Sequence, residues 1–137
     1  MPLPFVTDAT SAVQFIMAAT GALMGLSHIV QPRMWMTFFG RLHAEGTSGV
    51  VTRTFIEIWP ALIIVTFHQV WSGPGLVLTL YGWALSIKIV IGLLAPQIGV
   101  RGLAMSQGGQ GRFVGAGVVL LVIAFCSAWA LWAGTQS

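Results

Sequence analysis

The sequence predicts an all-α protein, a bundle of four transmembrane helices with an amphipathic helix lying in the membrane surface after the first span. Three observations carry that prediction. Of 137 residues, 56% are apolar and only 7% charged, and the mean hydropathy is +0.88, outside the range of a soluble core of this length. Four windows, about residues 11–30, 54–71, 75–95 and 113–133, are each long enough to cross roughly 30 Å of hydrocarbon as a helix. The five arginines cluster around the first and third connections, and the short second connection has none. Residues 1–137 therefore read as one membrane domain.

The segment before the first span carries Asp8 and no basic residue. That is wrong for the basic leader of a cleaved secretory signal, so a retained span is expected. Along this span Gln14, Ala18, Gly21, Gly25 and His28 recur at steps of three and four, which places them on one face. Gly21 and Gly25 are also spaced for close helix approach. Pro32 breaks the helix. Over residues 33–43, Trp35, Phe38, Phe39 and Leu42 share one arc and Arg33, Thr37 and Arg41 the other, the pattern of a helix lying on anionic lipid. The competing reading has that aromatic arc capping the bundle.

The second span puts Arg53, Glu57, Ala61, Ile64 and His68 on one stripe and contains Pro60, whose missing N–H frees the Ile56 carbonyl beside Glu57. Only Ser72, Gly73 and Pro74 separate it from the third span, so these two helices must be antiparallel neighbours. The third span carries Tyr81, Ala84, Lys88 and Gly92 on one stripe. The Gly- and Gln-rich end of the following connection reads as flexible. The fourth span presents Gly115, Gly117, Ala124 and Ala128 as a small-residue face for packing in the bundle or against another copy. Trp71, Trp129 and Trp132 suit an aromatic belt, and the arginine asymmetry puts both long loops in the cytoplasm and both termini outside.

Lys88 sets the search for a site, because an ammonium inside a span costs roughly 2.5–3.5 kcal/mol on insertion scales and so needs a partner. Glu57 precedes Gly73 by sixteen residues and Lys88 follows it by fifteen, so the two reach the same depth on antiparallel helices. His28 and Arg53 enter the same half of the bilayer. The expected intramembrane cluster is Glu57, Lys88, His28 and Arg53, with Tyr81 and Gln14 deeper in the bundle. It serves either as a structural pair that fixes helix register or as part of a proton-linked site.

Other chemistries lack parts. The net charge of +3 comes without an aromatic-interleaved basic patch, which argues against nucleic acid. Cys126 is the single cysteine, so neither a disulfide nor a multi-thiolate metal site forms within one chain. His28 and His68 belong near opposite faces, which disfavours a haem held between them, and no metal or other cofactor is expected. With Asp8, Glu45 and Glu57 as the acids, most hydrolytic schemes cannot be assembled, and an enzyme is the least favoured reading. The expected function is an accessory, scaffold or self-associating membrane subunit, whose partners are the lipid bilayer and another copy or a larger membrane protein. The alternative is a proton-linked carrier or channel for a small solute.

Residues Phe67 to Pro96 resemble a pattern of small uncharacterised bacterial inner-membrane proteins. There a histidine and tryptophan precede a short turn, and T-L-x-G-W, a lysine and L-L-x-P follow. The matching positions are His68, Trp71, Thr79, Leu80, Gly82, Trp83, Lys88, Leu93, Leu94 and Pro96, about a quarter of the chain. Ile89 stands where those proteins often have glycine. The resemblance implies a four-span protein of the bacterial inner membrane and brings no known activity. In size and in the acidic residue of its second span, the chain is also similar to DoxX-like proteins, without a shared motif.

Overall fold

The computed structural model describes residues 4–136. Six helices follow one another: α1 Ala9–Val30, α2 Pro32–Ala44, α3 Thr47–Phe67, α4 Gly75–Leu94, α5 Pro96–Ser106 and α6 Gln110–Gly134. No strand occurs among the described residues. Helices α1, α3, α4 and α6 are long and apolar enough to cross a membrane, which makes this a multi-pass membrane protein.

The four long helices form two antiparallel pairs. In the first, α1 and α6 approach so closely that a Cβ placed on Gly25 would lie 2.8 Å from the Gly117 carbonyl oxygen, and one on Gly117 would lie 2.6 Å from that of Gly25. Gly21 faces Ala124 one turn further along. This is small-residue packing, in which the missing side chains let two backbones touch. Gly115 takes no part in it: it is exposed with open space around it. Ala128 is exposed as well, and Ser127 takes the inward position. The inner face of α6 is thus Phe113, Gly117, Ile123, Ala124 and Ser127.

In the second pair, Ile64 of α3 lies against the bare backbone of Gly82 on α4. That contact sets the rotation of α4. Its buried face is Leu78, Gly82, Leu85, Ile89 and Gly92, which leaves Ala84 and Lys88 exposed at the margin rather than at the centre of an inward stripe.

The helix bounds correct the sequence expectation at two places. The second long helix occupies Thr47–Phe67 instead of 54–71. It begins early because Gly46, at φ 60, turns the chain sharply out of α2, and it ends early because Thr79 offers the segment after Phe67 an alternative set of hydrogen bonds. The third connection is mostly the helix α5, and only Gln107–Gly109 lies between it and α6. Pro96 opens α5 at a position where its missing N–H costs nothing. Gly99 then lets the Val50 side chain lie against the α5 backbone.

Helices α2 and α5 close one end of the bundle, around a cluster of Leu42, Val50 and Leu103 with Phe39 and Val100 packed on it. The α3–α4 turn and the start of α1 form the other end, where Asp8 caps α1 by accepting from the Ser11 N–H at 2.7 Å. The capped end carries the correction to α2. Leu42 is buried, Phe39 packs on Phe113, and Trp35 stacks on His28 with ring centroids 4.0 Å apart while donating to the Ser27 hydroxyl. Trp35, Phe39 and Leu42 of the arc therefore cap the bundle, while Phe38 does not. Of the residues expected on lipid, Arg33, Phe38 and Arg41 face outward, around a shallow recess that also includes Met34 and Thr37.

Candidate functional site

Two polar groupings interrupt the apolar packing, one towards each end. The first is a charged triad. Lys88 Nζ donates to Glu57 Oε1 at 2.6 Å and Arg53 Nε donates to the same oxygen at 3.2 Å. Arg53 and Glu57 lie one helical turn apart on α3, and Lys88 comes from α4 at the depth that counting from Gly73 predicts. The other carboxylate oxygen, Oε2, takes no hydrogen bond from the described residues. The side chains of Arg53 and Glu57 are 18% and 21% exposed and that of Lys88 is 43% exposed, so the triad is reachable.

Two cavities flank the triad, and Arg53 and Glu57 line both of them. One, of about 320 Å³, lies between α3, α4 and α5 and includes Lys88 and Thr54. The other, of about 450 Å³, is mostly apolar and lies between α1, α2, α3 and α4, with His28, Trp35, Pro60 and Tyr81 in its wall. The triad thus forms part of the partition between two cavities, of which only the smaller also has Lys88 in its wall. Two formal positive charges face one negative charge, an excess that is unfavourable at membrane depth unless water or an anion compensates it.

His28 shares the larger cavity with Glu57 but makes no bond to it. Its Nδ1 donates to the Met24 carbonyl at 2.7 Å and its ring lies on Trp35. Tyr81 lines the same cavity, packs into the core between α3 and α4, and makes no hydrogen bond among the described residues. Gln14 lies elsewhere, in the second polar grouping.

That grouping joins Gln14, His68 and Thr79. Gln14 presents its amide nitrogen to His68 Nε2 at 3.2 Å, which makes Nε2 the acceptor and leaves Nδ1–H to donate to Thr79 Oγ1 at 3.1 Å. Thr79 also accepts from the Val70 N–H at 3.2 Å and donates to the Val70 carbonyl at 2.8 Å. His68 and Thr79 are fully buried. Sequence reasoning placed His68 and Gln14 on inward stripes without joining them. The signal was available: His68 precedes Gly73 by five residues and Thr79 follows it by six, the same near-equality that paired Glu57 with Lys88.

Among the described residues no three His, Cys, Asp or Glu side chains gather in a way that would hold a metal ion. No family model, curated protein or solved structure matches the chain. The functional reading therefore rests on the geometry of the triad and its two cavities.

Proposed function

We propose that this protein is a proton-linked carrier of a small solute, with Glu57 as the proton-accepting group and the Arg53–Glu57–Lys88 triad as its gate. The observation that carries the proposal is the position of the triad between two cavities, with both cations on Oε1 and none on Oε2. A proton arriving at Oε2 neutralises the carboxylate. That removes the charge holding Lys88, and the ammonium is free to swing into the smaller cavity. Loss of the proton restores the pair. Pro60 lines the larger cavity within one turn of Glu57, where the helix ladder lacks a bond and bends at low cost.

We further place the capped end in the cytoplasm of a bacterial inner membrane with both termini outside. What supports this is the gathering of all five arginines towards that end. Arg33 and Arg41 then lie at the headgroups of anionic lipid. Activity from a C-terminal reporter that works only in the cytoplasm would contradict the orientation.

The function is tested in vesicles enclosing a pH-sensitive dye, offered a panel of acetate, phosphate, glycerol and choline gradients. A carrier moves protons in response to at least one of them, and Glu57→Gln moves none. A native protein silent to the whole panel overturns the proposal.

A second reading, a self-associating subunit, draws on Gly115, which faces outward on α6 with open space around it. Native mass spectrometry of extracted protein returning one fixed oligomer, combined with a silent flux assay, favours that reading.

A further inference from the structure

We propose that the smaller cavity, between α3, α4 and α5, binds a single oxyanion, a carboxylate or a phosphate, held by Arg53, Lys88 and Thr54; this rests on the reading of the triad as a solute site. The charge count is the first reason. The cavity wall holds Arg53 and Lys88 against Glu57 alone, so one formal positive charge is left over. An oxyanion is the ligand that completes it.

Free donors are the second reason. Arg53 commits only Nε to Glu57, and the far end of its guanidinium turns towards α5, with Nη1 3.9 Å from where a Cβ on Gly102 would stand. A guanidinium edge of this kind matches the two oxygens of a carboxylate or phosphate. Thr54 is only 6% exposed, and its hydroxyl, which forms no hydrogen bond among the described residues, lies beside Gly92 in the cavity wall. A hydroxyl at a cavity wall that no protein group engages is open to a hydrogen bond from a ligand or water.

Room is the third reason. Gly92, Gly99 and Gly102 all line this cavity of about 320 Å³; Val50 fills the space beside Gly99, and the room beside the Arg53 guanidinium is at Gly102. The larger cavity offers no such site: Lys88 is absent from its wall, and Arg53 and Glu57 balance there. An anion in solution and the phosphate of an anionic lipid present the same chemistry to these donors. The exposed Ile98 in the cavity wall gives a lipid a route in from the side.

The test is binding by purified full-length protein in a neutral maltoside detergent. The probes are acetate, inorganic phosphate, a short-chain phosphatidylglycerol and, as the cationic control, choline. The account predicts that at least one anion binds and raises the unfolding temperature while choline does neither. Phosphate or acetate alone identifies a soluble ligand, and phosphatidylglycerol alone identifies a lipid. Lys88→Gln weakens that affinity by roughly tenfold or more, because a charge-assisted contact is lost. Lys88→Arg keeps the charge and retains binding, and Glu57→Gln strengthens it by removing the competing carboxylate. No anion binding, or equal affinity in native protein and Lys88→Gln, overturns the site.

Binding and flux separate the two proposals. Anion binding without solute-driven proton movement removes the carrier and leaves the site. Proton movement driven by glycerol or choline, with no anion bound, removes the site and leaves the carrier.

Discussion

The two polar groupings in this bundle solve the same problem in opposite ways. At the turn end, Gln14, His68 and Thr79 are neutral and buried, with both ring nitrogens of His68 and the Thr79 hydroxyl engaged. Towards the capped end, Arg53, Glu57 and Lys88 are charged, partly exposed and incomplete: one carboxylate oxygen is idle, one positive charge is in excess, and a cavity lies on either side. A network of neutral groups around a fully engaged histidine joins helices, whereas an incomplete charged one has capacity left for a proton or a ligand. Both link α3 to α4, and only the second can change state without unpacking the core.

That contrast is broken most severely at the closed end. His68→Ala removes a fully buried ring and strands both Gln14 and Thr79, so a loss of about 2–4 kcal/mol is expected, read as a large fall in unfolding temperature in detergent. Glu57→Gln should cost less stability, about 1–3 kcal/mol, because the groups are partly exposed rather than packed in the core, yet it should abolish proton movement. A Glu57→Gln protein that unfolds as readily as His68→Ala would make the triad a structural element like the other.

Gly82 lies between the two groupings and sharpens the comparison. Gly82→Ala pushes a methyl into Ile64 and forces α3 and α4 apart, at a cost of about 1–3 kcal/mol. It should impair both folding and flux, since both groupings span those helices. Unchanged behaviour would show that the helix separation is not set there.

The smallest effect belongs to Asp8, outside the spans. The Ser11 backbone N–H, then its hydroxyl, hold the Asp8 carboxyl below its ordinary value of 3.8. A lowered value means that the stabilisation is fully present above pH 3.8 and is lost as pH falls through the lower folded value. Asp8→Asn should retain the cap and lose that acid dependence, while Asp8→Ala loses about 1 kcal/mol at neutral pH. Melting curves of the three proteins between neutral and acid pH check it.

Much of this arrangement was legible from two physical rules. Apolar length marked the four long helices, and near-equal residue counts on either side of Gly73 paired Glu57 with Lys88, although α3 ends at Phe67 and the chain from His68 to Pro74 is not helical. The failures have equally local causes. Helix α5 was hidden by the Gly- and Gln-rich end of the connection, which reads as flexible, and by Gly99 and Gly102, which weaken the helical signal while Gly99 admits Val50 and both line a cavity. The early start of α3 was hidden by its polar first turns. The rotation of α4 was misjudged because the polar residues were taken to define the inner face, whereas Gly82 does so by having no side chain. The inward turn of Trp35 depends on His28, a partner on another helix that periodicity along α2 cannot reveal.

The most direct test of the division between a closed joint and a working gate is solute-driven proton uptake by Glu57→Gln and Thr79→Val in matched vesicles, below the unfolding temperature of each. The account predicts that Thr79→Val, though less stable, still moves protons at a substantial fraction of the native rate, and that Glu57→Gln moves none. An active Glu57→Gln beside a silent Thr79→Val would contradict it, and would put the working site at the other end of the bundle.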